Sequence, residues 1–275
     1  MNYFSRLVKR PCFKVERFCF LVLLFCSVQP AGAALITAGA VIDWSTFKIT
    51  PIDIGNGLPT LTWITQNDSS NANSNASCYY YGCGVGVSEY ASSWSAGTLA
   101  TESSANSIAN RSASAATSGS QIKADASING SFVDQYYVNP SSNSQRSGGF
   151  TVQGNGLLLF QANYSLADNL GVAASGTASS GVNFSLSSNG DGGYGSANQG
   201  FNRAISNGSA PIAETGILTV GLIFGNGWGG YFTGSTNASV SSYGSVNSIP
   251  LPAAFWLFGS ALAGFAGLRR HWPSV

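Results

Sequence analysis

"GLLLFQANYSL", residues 156–166, alternates along its whole length. Leu158, Phe160, Ala162, Tyr164 and Leu166 fall on one face. The other face changes from Leu157 and Leu159 to Gln161, Asn163 and Ser165. A repeat of two with one apolar face is the pattern of a half-buried strand. "GILTVGLIFGN", residues 216–226, repeats it through Leu218, Val220, Leu222 and Phe224, and "GVNFSL" does so through Val182, Phe184 and Leu186. Shorter alternating stretches lie at 35–43, 47–54, 60–65, 85–90 and 121–133. Gly/Asn/Ser clusters such as "GNG", "NGDGG" and "NPSSNS" separate them and read as turns. No amphipathic helix precedes residue 250. The sequence therefore predicts an all-β body, an antiparallel β-sandwich of jelly-roll-like type. Gly156 and Gly216 each precede a comparable strand, which hints at a repeat placed once in each sheet. Two low-complexity stretches are assigned differently: "NDSSNANSNAS" (67–77) as a flexible loop, and 103–120 as one Ser/Ala edge strand.

Charged residues make up 8% of the 275-residue chain, against roughly 25% in an average globular protein. Solubility must then come from Ser, Asn, Thr and Gly. The formal charge of +1 conceals a division, because the ends are basic and the middle is not. Residues 34–248 hold five Lys/Arg against ten Asp/Glu, a net of −5. A scattered negative balance excludes the basic face that nucleic acid requires, so no nucleic-acid partner is expected. Eight N-x-S sequons, at Asn67, Asn75, Asn110, Asn129, Asn163, Asn183, Asn207 and Asn237, mark polar surface.

"RFCFLVLLFCSVQPAGA" follows a basic stretch and ends in small residues, with Ala31 and Ala33 at the positions signal peptidase needs. Residues 1–33 are therefore expected to be a secretory signal peptide, and Ala34 the mature N-terminus. The apolar run is about half the roughly 20 residues that a spanning helix requires. Cleavage removes Cys12, Cys19 and Cys26 and leaves Cys78 and Cys83, in "CYYYGC". In an oxidising compartment this pair is expected to form a local disulfide that closes a ring around Tyr79, Tyr80 and Tyr81. Neither a redox C-x-x-C nor a metal cluster is present in the pattern.

The polar body, residues 34–248, gives way to "IPLPAAFWLFGSALAGFAGLRRH", residues 249–271. Leu251 to Leu268 is 18 residues without a charge, about 27 Å as a helix, enough for a thin bilayer. Arg269 and Arg270 follow at once, a cytoplasmic stop under the positive-inside rule. One transmembrane helix over 251–268 is predicted, with the body outside and a short tail inside. Pro250 and Pro252 resist helix at the residue before each, which keeps 249–254 extended. Gly259, Ala263 and Gly267 form a stripe along which another helix can approach.

The order of these parts resembles the PEP-CTERM sorting signal of Gram-negative bacteria, in the variant beginning Val-Pro-Leu-Pro-Ala-Ala. The resemblance covers the last 25 or so residues. It implies that an exosortase, a membrane-embedded cysteine transpeptidase, recognises Pro250, Leu251, Pro252 and Ala253. It further implies transit through the inner membrane, then release to the cell surface or extracellular matrix. Leu251 stands where the commonest pattern has Glu, which leaves the exosortase subtype open.

The sole histidine is His271, so the body holds no His-based triad or metal site, and no cofactor is expected. "NGDGG" around Asp191 lacks the alternating ligands of a calcium loop. A structural or adhesive component of the surface or exopolysaccharide matrix is the expected function, without enzymatic activity. The alternative is a carbohydrate-binding module that uses Tyr79, Tyr80 and Tyr81 together with exposed members of Trp44, Trp63, Trp94 and Trp228. A third reading is a His-free glycan hydrolase with two carboxylates across a cleft. Tryptophans in the core favour the structural reading.

Overall fold

The computed structural model describes residues 34–55, 57–76, 86–105, 110–130, 137–171, 175–190 and 193–243. Twelve strands make two antiparallel six-stranded sheets, and no helix occurs among the described residues. The strands are β1 (Ala34–Asp53), β2 (Thr60–Ala76), β3 (Gly86–Ala91), β4 (Thr98–Ala105), β5 (Asn110–Thr117), β6 (Gln121–Gly130), β7 (Tyr137–Gln153), β8 (Gly156–Leu170), β9 (Gly176–Gly190), β10 (Gly193–Ser206), β11 (Ile212–Phe224) and β12 (Gly229–Tyr243). The first sheet runs β11-β8-β1-β6-β5-β4, and the second β10-β9-β12-β7-β2-β3.

The opening stretch is β8, the strand between β1 and β11. Its large residues face the partner sheet, as the alternation requires. Strand β11 pairs with β8 along its full length, Leu218 opposite Ala162 and Leu222 opposite Leu158. The two Gly-led strands are therefore neighbours in one sheet, not one in each. The stretches 35–43 and 47–54 are one strand, β1, with its register shifted between Asp43 and Lys48.

The interior has two parts. One holds large side chains, Phe150, Phe160, Phe184, Phe224 and Phe232, all fully buried. The other is built largely from small side chains, Ala38, Ala124, Ala126, Ser142 and Ser144, also buried. There Ser142 Oγ donates to the Asp125 carbonyl and Ser144 Oγ to the Lys123 carbonyl, both at 2.8 Å and both from β7 to β6 in the other sheet. A side chain as short as Ser makes such bonds only where the sheets approach more closely than the usual ~10 Å.

This thin interior corrects two assignments. Residues 67–76 are not a loop but the second half of β2, which turns Asp68, Ser70, Ala72 and Ser74 inward. "NPSSNS" is not a turn but the beginning of β7. Pro140 is accommodated because the β7–β2 ladder continues through it, opposite Ser74, while the β7–β12 pairing skips from Ser141 to Val138. Proline has no amide to donate, so a ladder is interrupted on one side. Residues 103–120 form parts of two strands. Strand β4 is the edge, and the Ser/Ala strand β5 lies one position inside it.

Candidate functional site

Most of the site residues named from the sequence fall outside the described residues: Ala31 and Ala33, Cys78 and Cys83, Tyr79, Tyr80 and Tyr81, and the tail from Pro250, Leu251, Pro252 and Ala253 to Arg269 and Arg270. The expected helix over 251–268 lies there too, and no helix among the described residues is long and apolar enough to cross a membrane. Ala34 is the first residue of β1.

The four tryptophans turn to the interior, half-buried. Trp44 stacks on Phe47, with ring centroids 4.0 Å apart and planes 9° from parallel. Trp94 meets Trp44 edge-on at 5.3 Å and Trp63 at 4.6 Å. Glycines make the room: a Cβ on Gly148 would stand 2.7 Å from the Trp63 ring, and one on Gly190 2.3 Å from Trp228.

Beside this aromatic cluster lies a buried ionic pair that the sequence did not signal. Asp68 and Arg146 are cross-strand partners on β2 and β7. Arg146 Nε donates to Asp68 Oδ1 and Nη2 to Oδ2, each at 2.7 Å, with both side chains at most 1% exposed. Thr117 Oγ1 donates to Asp68 Oδ2 at 2.8 Å from the other sheet. Arg146 Nη2 also reaches the Trp94 carbonyl at 3.1 Å, and its guanidinium carbon lies 4.8 Å from the Trp44 ring centre. The pair thus holds the β3–β4 crossover, and with it Trp94, against the core.

Outward, the second sheet presents a largely polar face, broken at Ile64 and Ala204. Register puts Asn71, Asn143, Asn237, Gly181 and Asn202 in one row across β2, β7, β12, β9 and β10. The adjacent row is Ser69, Gln145, Ser235, Asn183 and Gly200. Rows continue in Ser, Thr and Asn to an aromatic end, where Thr65, Gly149, Tyr231 and Ser187 align and Tyr194 stands one step beyond. The charged residues of these five strands are Asp68, Arg146 and Arg203, and all three lie at inward positions. Exposed charge lies off these outward rows, in the 2.9 Å pair Lys123–Asp125 on the first sheet and, on the edge strands of the second, in Glu89 on β3 and Arg203 on β10. From strand spacing and rise, the uncharged face measures about 50 Å by 20 Å. Periodicity concealed it, because Ser and Asn outside Ser and Ala produce no hydrophobic alternation.

Most carboxylates among the described residues are engaged or enclosed, while Glu89 is exposed. Asp43 and Asp53 accept bonds from their own turns, through Ser45 and Gly55. Glu214 bonds Arg203 Nε and Tyr164 Oη, and so closes the open side between β11 and β10. The Tyr164 hydrogen bond and Arg203 hold Glu214 below the usual carboxylate range, while desolvation and that same bond push Tyr164 up to about 12. Asp168 is 1% exposed, and neither of its oxygens has a well-formed hydrogen bond. Burial pushes its carboxyl above the usual range, and Ser180 facing it offsets part of that shift. Among the described residues no three His, Cys, Asp or Glu side chains group to hold a metal.

This arrangement has broad contact surface and hydrogen-bonding capacity, with the aromatic mass committed to the core. No family model, curated protein or solved structure matches the chain.

Proposed function

We propose that the chain is an exported structural or adhesive component of the cell surface or extracellular matrix, delivered by an exosortase acting on its C-terminal signal. The observation that carries the structural half is the placement of Trp44, Trp63 and Trp94 against one another and the phenylalanine core. Rings used to lock two sheets together are not available as a sugar-stacking platform. The delivery half rests on the order of an extended Pro-Leu-Pro, 18 uncharged residues and Arg269-Arg270.

Expression in a host with an exosortase, and in the same host lacking it, tests delivery. The enzyme-bearing host is expected to release a chain that begins at Ala34 and lacks the Arg pair. The other is expected to retain it in the inner membrane. Arg269→Asp with Arg270→Asp, or Pro250→Ala with Pro252→Ala, should cause retention even with the enzyme present. Equal release from both hosts overturns the reading.

A further inference from the structure

The adhesive role proposed above still lacks a contact surface. We infer that the outer face of the second sheet, across β2, β7, β12, β9 and β10, is a docking surface for a neutral polysaccharide chain. Charge is the first argument. Every charged side chain of these five strands lies at an inward position, and apart from Ile64 and Ala204 the outward rows are filled by Asn, Gln, Ser, Thr, Gly and Tyr. An anionic polymer would need cations here, and the exposed cation of these strands, Arg203, is turned to the inward side and tied to Glu214. An uncharged polymer of hydroxyls is complementary to it. Amide side chains supply both donors and acceptors, as sugar hydroxyls do. Exposed Asn71, Asn143 and Asn237 stand side by side in a single row.

Shape is the second argument. A strand length of about 50 Å accommodates an extended chain rather than a small ligand. The aromatic end of the face is recessed. There a shallow hollow of about 350 Å³ opens between Ile64, Gly149, Ser187, Asn189, Tyr194 and Tyr231. A register shift between Trp63 and Thr65 turns Ile64 outward beside Thr65, and Gly149 leaves the floor bare. Tyr194 is 88% exposed and Tyr231 45%. Two strands and one step of the pleat separate their backbones by about 12 Å. Their rings can meet the apolar C–H faces of successive sugars while their hydroxyls remain in water.

A second copy of this chain fits less well. Burying so many amides against their like demands that each find a partner, and each failure costs about 1–3 kcal/mol. A glycan lying on the face leaves much of that surface wet.

The test uses the full-length chain in a non-glycosidic detergent, titrated with cellohexaose, laminarihexaose and dextran, with alginate as the charged control. Binding of at least one neutral glucan and none of alginate is expected. Tyr194→Ala, at a side chain that takes no part in the core, should weaken that affinity about tenfold. Leu99→Ala, on the first sheet and 63% exposed, should not alter it. Absence of binding to every neutral glucan, preference for alginate, or an unchanged affinity in Tyr194→Ala overturns the inference. So does a dimer that Tyr194→Ala dissociates, since the face would then belong to a second copy. The inference rests on the matrix reading, but its test reads affinity and the delivery test reads location, so either can fail alone.

Discussion

Removing Asp68 should destabilise the sandwich far more than its place in a Ser/Asn-rich strand suggests. In Asp68→Ala the Arg146 guanidinium, at most 1% exposed, loses both of its 2.7 Å carboxylate bonds and has no water to replace them. Breaking one side of such a pair costs about 3–5 kcal/mol. For a body of roughly 200 residues each kcal/mol lowers Tm by about 2–4 °C, so a fall of roughly 6–20 °C is expected. Arg146→Ala should cost as much, by stranding Asp68 and freeing the Trp94 carbonyl. The double variant Asp68→Leu/Arg146→Met removes both charges and fills the volume. Thr117 Oγ1 can then turn fully to Thr98 Oγ1, already 2.9 Å away. Only the Trp94 carbonyl is left short, at about 1 kcal/mol. The double variant should therefore melt well above either single one. Circular dichroism melts with urea titrations measure all four proteins. Single-variant losses under about 1 kcal/mol, or a double variant as poor as the sum of the singles, would refute the reasoning.

Asp168→Asn tests the enclosed carboxyl. Because its folded pKa is raised, the unfolded chain releases this proton first, so its contribution is favourable at low pH and is lost as pH rises from about 4 through the folded value. The variant should match the parent near pH 3.5 and exceed it at pH 7.5 in urea midpoint; an equal difference at both would show that the charge is not responsible. Cys78 and Cys83 are expected to be oxidised to each other in the exported protein, so alkylation without reductant should label neither; a labelled thiol contradicts the pairing.

Strands were legible where they hold large side chains. Phe160 and Tyr164 in β8, Val220 and Phe224 in β11, and Phe184 in β9 carry enough apolar contrast to reveal which face is buried. Strand β2 beyond Asn67 and the first half of β7 were not legible. Apart from Asp68 and Val138, the buried side chains there include Ser70, Ala72, Ser74, Ser142 and Ser144, and the exposed positions are largely Ser and Asn too. Hydropathy does not distinguish the two faces, and the narrow gap that suits Ser and Ala inside is a property of both sheets together. The uncharged face was hidden for a related reason. It is a relation among residues as distant as Asn71 and Asn202, and it exists only once five registers are fixed. The tail, by contrast, is a linear signal whose parts adjoin in sequence.

The same monotony raises the question of what fixes the register of β2 on β7. A strand whose two faces are alike is prone to slip, because a shift buries nothing worse than what it exposes. From Ser69 to Asn73 on β2, opposite Gln145 to Ser141 on β7, no large side chain intervenes. Asp68 and Arg146 are the exception, standing directly opposite each other within that pairing. A slip of one residue would move one of them to the outer face, and a slip of two would set Asp68 against Ser144 or Gly148. Either leaves a buried charge unmatched at a cost of several kcal/mol. The pair is therefore expected to act as a register pin. The double variant then has a second signature. It should stay folded and thermally stable while backbone amides between Asn67 and Asn73 exchange faster than in the parent, since the barrier to slippage is gone. Unchanged exchange in that segment would mean that the distant Trp63–Phe150 contact alone suffices to hold the register.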